Sequence, residues 1–216
     1  MAKIWTGQHK PVATVIICAV LTGFFVAALF MPELSDELAC HGADLPVRWW
    51  KAFTSGLSHS GIVHLLLNVV MIAYIGYKME TRCGGLWLAV TFVGGIGVGT
   101  AIFMHMYAAA YPSITVRGAS GGKCAMMAFF AAVFIYDLLM AKREDVAAVM
   151  MESVPVWCLI IFELFLSYMP NIAWSAHIGG VIVGVAAGLL WIALDRNRHD
   201  RDRQPSESDH SSISIE

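Results

Sequence analysis

Residues 117–140 read RGASGGKCAMMAFFAAVFIYDLLM. From Ser120 the stretch is apolar apart from Lys123 and Asp137, and at about 1.5 Å per helical residue it is long enough to cross the hydrocarbon of a bilayer. Gly118-Ala119-Ser120-Gly121 places one hydroxyl among small residues at the mouth of that helix. A later apolar run, from Trp174, carries Ala176-His177 at its own mouth. With both mouths on one side of a membrane, a nucleophile and a base meet inside lipid.

The rest of the chain fits a lipid solvent. Of 216 residues, 58% are hydrophobic and 14% charged, and the mean hydropathy is +0.67. A water-soluble domain of this size has too little interior to hide so much apolar side chain. Six runs are long enough, or nearly so, to span: Val12–Met31, Gly61–Lys78, Leu86–Tyr107, Ser120–Met140, Val154–Met169 and Trp174–Leu194. The first has no small-residue cleavage site followed by a polar start, so it reads as a retained helix and not a signal peptide. The expected fold is all-α, a six-helix membrane bundle filling residues 1–195. Residues 196–216 alternate Arg with Asp and then turn Ser-rich; they are expected to be a disordered tail with its arginines near anionic lipid. Nothing here calls for nucleic acid.

Basic residues set the expected orientation. A model with both ends inside puts Lys3, Lys10, Lys78, Arg82, Lys142, Arg143 and the arginines after Leu194 in the cytoplasm, and leaves only Arg48, Lys51 and Arg117 outside. Trp5, Trp87, Trp157 and Trp191 then fall near inner helix ends, and Trp49, Trp50 and Trp174 near outer ones, at interfaces where an amphipathic ring is most stable. The chain is expected to be a multi-pass protein of the cell membrane. Pro32–Ser60 is long for a loop and turns apolar around Val47–Phe53, so it is expected to lie partly in the outer leaflet. The cysteines Cys18, Cys40, Cys83, Cys124 and Cys158 show no CxxC spacing, which argues against structural disulfides and a zinc site.

Polar residues sort by depth. His64, Ser120 and His177 each lie within about one turn of an outer mouth, and Asn68 about one turn deeper than His64. A lone Ser or His in lipid often only bonds a backbone carbonyl; several from three helices at one level form a functional site by default. A serine hydroxyl needs a base to become a nucleophile, and an imidazole on a facing helix supplies one. The unpaired N–H groups and positive dipole end at Ser120 suit the oxyanion of a tetrahedral intermediate, to which His64 and Asn68, stacked i to i+4, can add donors. Gly180, Gly184 and Gly188 repeat every four residues, and Gly121, Ala125, Ala128 and Ala132 form a similarly small face on the other helix; such small faces permit close helix approach.

In order along the chain, His59-x4-His64-x3-Asn68, Glu80-Thr81-Arg82, Gly118-Ala119-Ser120-Gly121 and Ala176-His177 with Gly180-x3-Gly184 resemble the rhomboid intramembrane serine proteases across nearly the whole membrane domain. The resemblance implies a six-helix rhomboid-like bundle with Ser120 as nucleophile and His177 as general base, a dyad without a carboxylate. It implies an oxyanion hole of His64, Asn68 and the Ser120 N–H, with Gly118 and Gly121 as backbone beside the substrate. Glu80 and Arg82 would be structural. Substrates would be transmembrane proteins, and neither cofactor nor metal is called for. The alternative is a rhomboid-like pseudoprotease, similar to derlins, that binds transmembrane clients without cutting them.

Two positions depart from the family. An aromatic residue commonly stands four after the serine, stacked on the imidazole; here it is Cys124, which would leave His177 less firmly oriented. The Trp-Arg pair of the first loop is Trp50-Lys51. Lys123 carries three readings: a base in Ser-x-x-Lys spacing, an ion pair with Glu163 of the fifth helix, or a side chain snorkelling to the surface. Gly95-x-Gly97-x-Gly99 reads as packing, and Asp137 as reaching interfacial water.

Overall fold

The computed structural model describes residues 9–169 and 172–203, with side chains to residue 196. Its helices are α1 (Val12–Phe30), α2 (Pro32–Leu38), α3 (Lys51–Thr54), α4 (Ile62–Cys83), α5 (Gly85–Tyr107), α6 (Ser120–Met140), α7 (Val146–Ser167) and α8 (Trp174–Arg203). Two short strands, β1 (Cys40–His41) and β2 (Thr115–Val116), pair antiparallel. Six of the helices are long and apolar enough to cross a membrane. The serine and both histidines of interest cluster where α4, α6 and α8 begin, here called the site end; α1, α5 and α7 begin at the far end.

The helix ends explain how the bundle closes. Gly84 alone separates α4 from α5, and its φ of 90° is a backbone conformation that favours glycine. Opposite it, Glu80 caps α1: one carboxylate oxygen accepts the Ala13 N–H at 2.8 Å, and the other accepts the Thr14 N–H and hydroxyl, each at 2.7 Å. These are two of the donors a helix start leaves without an intrahelical partner.

The core forms where helices lose side chains at their contact. A Cβ on Gly180 or Gly184 of α8 would run into the Gly121 or Ala125 carbonyl of α6, and one on Gly99 of α5 into the Ala176 carbonyl. Backbones therefore touch, as the four-residue repeat predicts, and the glycines of α5 are packing residues. Around the rest of α6, Met126, Phe129, Phe130 and Val133 fill the remaining interior, all essentially buried, with the Phe129 ring against Trp191 of α8 and Trp87 of α5. α6 is the most enclosed spanning helix and α1 the least.

The boundaries differ from the expected ones in three places. α7 begins at Val146, not Val154, and carries Pro155 in its interior; a proline there removes one ladder bond, which membrane helices tolerate when neighbours compensate. α4 runs on to Cys83, so Glu80 and Arg82 stand on helix instead of beyond it. α8 continues to Arg203, so residues 196–203, expected in the tail, are helical; the expected tail beyond them lies outside the described residues. The long first loop is built, not slack: it holds α2, β1, α3 and a 3-10 turn at Ser55–Leu57, with Val47, Trp49, Trp50 and Phe53 exposed. Lys51, in place of the arginine, is buried with its ammonium 3.4 Å from Asp44.

Candidate active site

The first loop holds the turn that presents Ser120. The Gly118 N–H donates to the Ser55 carbonyl at 2.9 Å, and the Ser55 hydroxyl bonds Thr100 of α5 at 3.1 Å. Gly118 has φ 119° and faces His64, whose Nε2 would lie 2.8 Å from a Cβ at that position. Only glycine meets both constraints, which is the local reason for Gly118-Ala119-Ser120. Ser120 is then the first residue of α6, where backbone N–H groups lack intrahelical acceptors.

Ser120 Oγ lies 3.0 Å from Nε2 of His177. This is hydrogen-bond distance, and it follows from the Gly180 and Gly184 contacts that draw α8 onto α6. On the other side of the ring, Nδ1 is 2.8 Å from the Ser167 hydroxyl, and that hydroxyl donates to the Glu163 backbone carbonyl at 2.9 Å. With its only proton so placed, Ser167 accepts from Nδ1–H, and the Nε2 lone pair is left for Ser120.

The other expected residues sit around this pair. His64 meets Ser60 at 3.1 Å through Nδ1 and turns Nε2 to Gly118. His59 stands edge-on to it, ring centres 5.1 Å apart. Asn68 is buried and donates one amide N–H to the His64 carbonyl at 3.0 Å, leaving its second N–H; its Oδ1 has no hydrogen-bond partner among the described residues. Gly121 stands at the α5 and α8 contacts, its Cα facing the Gly95 carbonyl. The structure thus joins Ser120 to His177 and His64 to Gly118, while Asn68 stays engaged with its own helix.

Lys123 does not snorkel. It is buried, and its ammonium lies 2.7 Å from Glu163 Oε2, which leaves it tied up as a candidate base. Glu163 Oε1 lies 3.8 Å from His177 Nδ1 and 3.6 Å from the Cys124 sulfur. The donor atoms of Cys124, Glu163 and His177 fall within 4.8 Å of one another, a spacing a metal ion could use; Lys123 already supplies the positive charge that the carboxylate requires, and Ser167 occupies Nδ1. Sequence reasoning missed Ser167 and the position of Glu163 beside His177. Their i to i+4 spacing on α7 was the available signal.

Asp137 corrects another expectation. It is buried, not in interfacial water, 3.4 Å from Arg82, whose guanidinium also stacks 4.7 Å from the centre of the Trp191 ring. Membrane interior makes such pairing the cheaper state for both charges.

A groove of about 1140 Å³ opens beside His177 between α6, α7 and α8. Its floor is Ala128, Ala131 and Ala132, and its walls include Leu164, Val181 and Val185. An extended apolar segment can reach the imidazole along it without crossing the core.

A family model for the Rhomboid domain matches residues 46–194, well over half of the chain. Among curated proteins, Rhomboid-related protein 3 of Homo sapiens is 27% identical over 188 residues, covering 83% of this chain but 45% of that protein. An uncharacterized protein of Mycobacterium tuberculosis is 25% identical over 209 residues, 88% of this chain and 81% of its own length. RHOMBOID-like protein 7 of Arabidopsis thaliana is 27% identical over 146 residues, 65% of this chain and 42% of that protein. The chain thus spans less than half the length of the human and plant relatives.

Proposed function

This chain belongs to the rhomboid family, a multi-pass membrane architecture, and from that premise we propose that it is an intramembrane serine endopeptidase acting on transmembrane proteins. The observation that carries the reading is the 3.0 Å contact between Ser120 Oγ and His177 Nε2 at the edge of the groove. His177 takes the hydroxyl proton as Ser120 attacks the scissile carbonyl carbon. The oxyanion is met by the Ser120 N–H, the His64 imidazole and the second Asn68 N–H. Collapse breaks the C–N bond, and the proton passes from His177 to the leaving amine. Water then hydrolyses the acyl-enzyme with His177 again as base.

Of the two glycines expected beside the substrate, Gly118 keeps that role in this reading, whereas Gly121 is packed against α5 and α8. An intact helix cannot be cut there, because its carbonyls are occupied by i+4 amides; substrates therefore carry Gly, Pro or other helix-weakening residues near the site end of their span, with a small residue before the cut. The basic-residue bias supports both termini in the cytoplasm and the site end outside. Cleavage of a transmembrane reporter by the chain reconstituted in liposomes tests the reading. Wild type should release the reporter and Ser120→Ala should not; a wild type that binds the reporter without cutting it would make the protein a client-binding relative instead.

A further inference from the structure

A buried imidazole is a useful base only if one ring nitrogen is held protonated and the ring cannot turn. In this chain the residue that would stack on the ring is Cys124, too small to hold a plane. Another set of atoms stands in its place. Ser167 is sandwiched between His177 Nδ1 at 2.8 Å and the Glu163 carbonyl at 2.9 Å. The Glu163 carboxylate divides its oxygens: Oε2 pairs with Lys123 at 2.7 Å, and Oε1 faces Nδ1 from 3.8 Å. Both groups come from the last two turns of α7, the helix that borders the groove.

We propose that Ser167 and Glu163 are positioning residues for His177: the Ser167 hydroxyl fixes the ring as the Nδ1–H tautomer, and the Glu163 carboxylate, neutralised in the ground state by Lys123, faces the imidazolium that forms when Ser120 gives up its proton. The site is then a four-residue line, Ser120, His177, Ser167 and Glu163, in which only the first two touch reacting atoms. Among the described residues, the charged or titratable groups facing the ring are Glu163 from α7, Lys123 and Cys124 from α6, and His64 from α4. Lys123 and Glu163 carry opposite unit charges, so the pair adds no net charge to the lipid interior at rest. When the proton moves to His177, the nearer carboxylate oxygen meets a positive ring with no further rearrangement, which is the preorganisation that lowers a barrier.

The proposal rests on the reading of Ser120 and His177 as a hydrolytic pair, and its test separates the two. The full chain in liposomes is compared as wild type, Ser167→Ala, Ser167→Thr and the double variant Glu163→Gln/Lys123→Met, which leaves no orphan charge in lipid. Kinetics on a transmembrane reporter are read together with the histidine ¹⁵N spectrum, which reports the tautomer whether or not anything is cleaved. Ser167→Ala should lower kcat roughly 10- to 100-fold, the scale of a misaligned catalytic group, at unchanged KM. Its His177 signal should move from the Nδ1–H form towards a mixture of tautomers. Ser167→Thr, which keeps the hydroxyl, should recover most of both, and the double variant should show a smaller loss of kcat with the tautomer kept. Wild-type kcat and a wild-type His177 signal in Ser167→Ala would overturn the positioning role while leaving the dyad intact. A wild type that cleaves nothing would overturn the hydrolytic reading, and the tautomer comparison would still decide whether Ser167 orients the ring.

Discussion

The two ends of the bundle each bury a glutamate, and they use it in opposite ways. At the far end Glu80 spends both oxygens on the start of α1. Nearby, Arg82 is enclosed by Asp137, Asp195 and the Trp191 ring. At the site end Glu163 takes one lysine and turns its other oxygen to a histidine that in turn faces a serine. The first cluster closes on itself; the second ends at a hydroxyl beside an open groove. Residue type alone does not separate a structural charge in lipid from a functional one. What separates them is whether the chain of hydrogen bonds terminates inside the protein or at a surface a substrate can reach.

That contrast can be broken first at its most sensitive point. His177→Ala should reduce cleavage of a transmembrane reporter by roughly a thousandfold or more, as loss of a general base does in other serine hydrolases. The double variant Lys123→Met/Glu163→Gln, which removes the lysine without stranding its buried partner, should lose far less. The reverse ranking would move the proton to Lys123 and make the site-end cluster a Ser-Lys pair.

The helix contact beneath the dyad comes next. Gly180→Leu puts a side chain where the Gly121 carbonyl stands, so α8 must move off α6 and His177 off Ser120. Activity should fall by about a hundredfold, the scale of a misplaced catalytic group, while Gly23→Leu, where a Cβ meets nothing within 4 Å, leaves it near wild type. Equal activity in the two variants would show that the glycine face does not set the dyad geometry.

Much of this was legible in the residues. The six apolar runs, the glycine repeat and the placement of Ser120 and His177 at matching helix mouths all follow from patterns a few residues long, because lipid forces helices and leaves polar side chains conspicuous. Less legible were features that depend on what stands opposite. The fifth run was expected to start at Val154, yet α7 starts at Val146 and continues through Pro155. Asp137 looks like an interfacial residue until Arg82, far away in sequence, is found against it. Lys123 had three readings because its partner lies 40 residues on. Ser167 drew no notice at all, being one hydroxyl at the end of an apolar run, and acquires meaning only beside His177.

At the far end the prediction concerns stability. Glu80→Ala strands the Ala13 and Thr14 N–H groups in the interior, which should cost about 3 kcal/mol and lower the thermal midpoint in detergent, with kcat at permissive temperature little changed. A fall in kcat without loss of stability would join the two ends functionally and erase the distinction drawn between them.

The smallest effect is the response to acid. His59 lies in the turn before α4, where burial and then the neighbouring His64 hold its pKa down from the ordinary 6.5 to about 4. Within that window the unfolded chain binds a proton that the folded chain refuses. Stability should therefore be full above the upper value and fall as the pH approaches the lower one, by on the order of 2 kcal/mol near pH 5. His59→Leu should flatten that part of the melting profile, and an unchanged slope would remove His59 from the account.

The central claim is that Ser120 is a nucleophile because His177 makes it one. Labelling with a serine-directed fluorophosphonate, located by peptide mass, measures this without any knowledge of the substrate. Wild type should be modified at Ser120, Ser120→Ala should not be, and His177→Ala should label only near background. A wild type that takes up no label, or a His177→Ala variant labelled at Ser120 as fast as wild type, would contradict that claim.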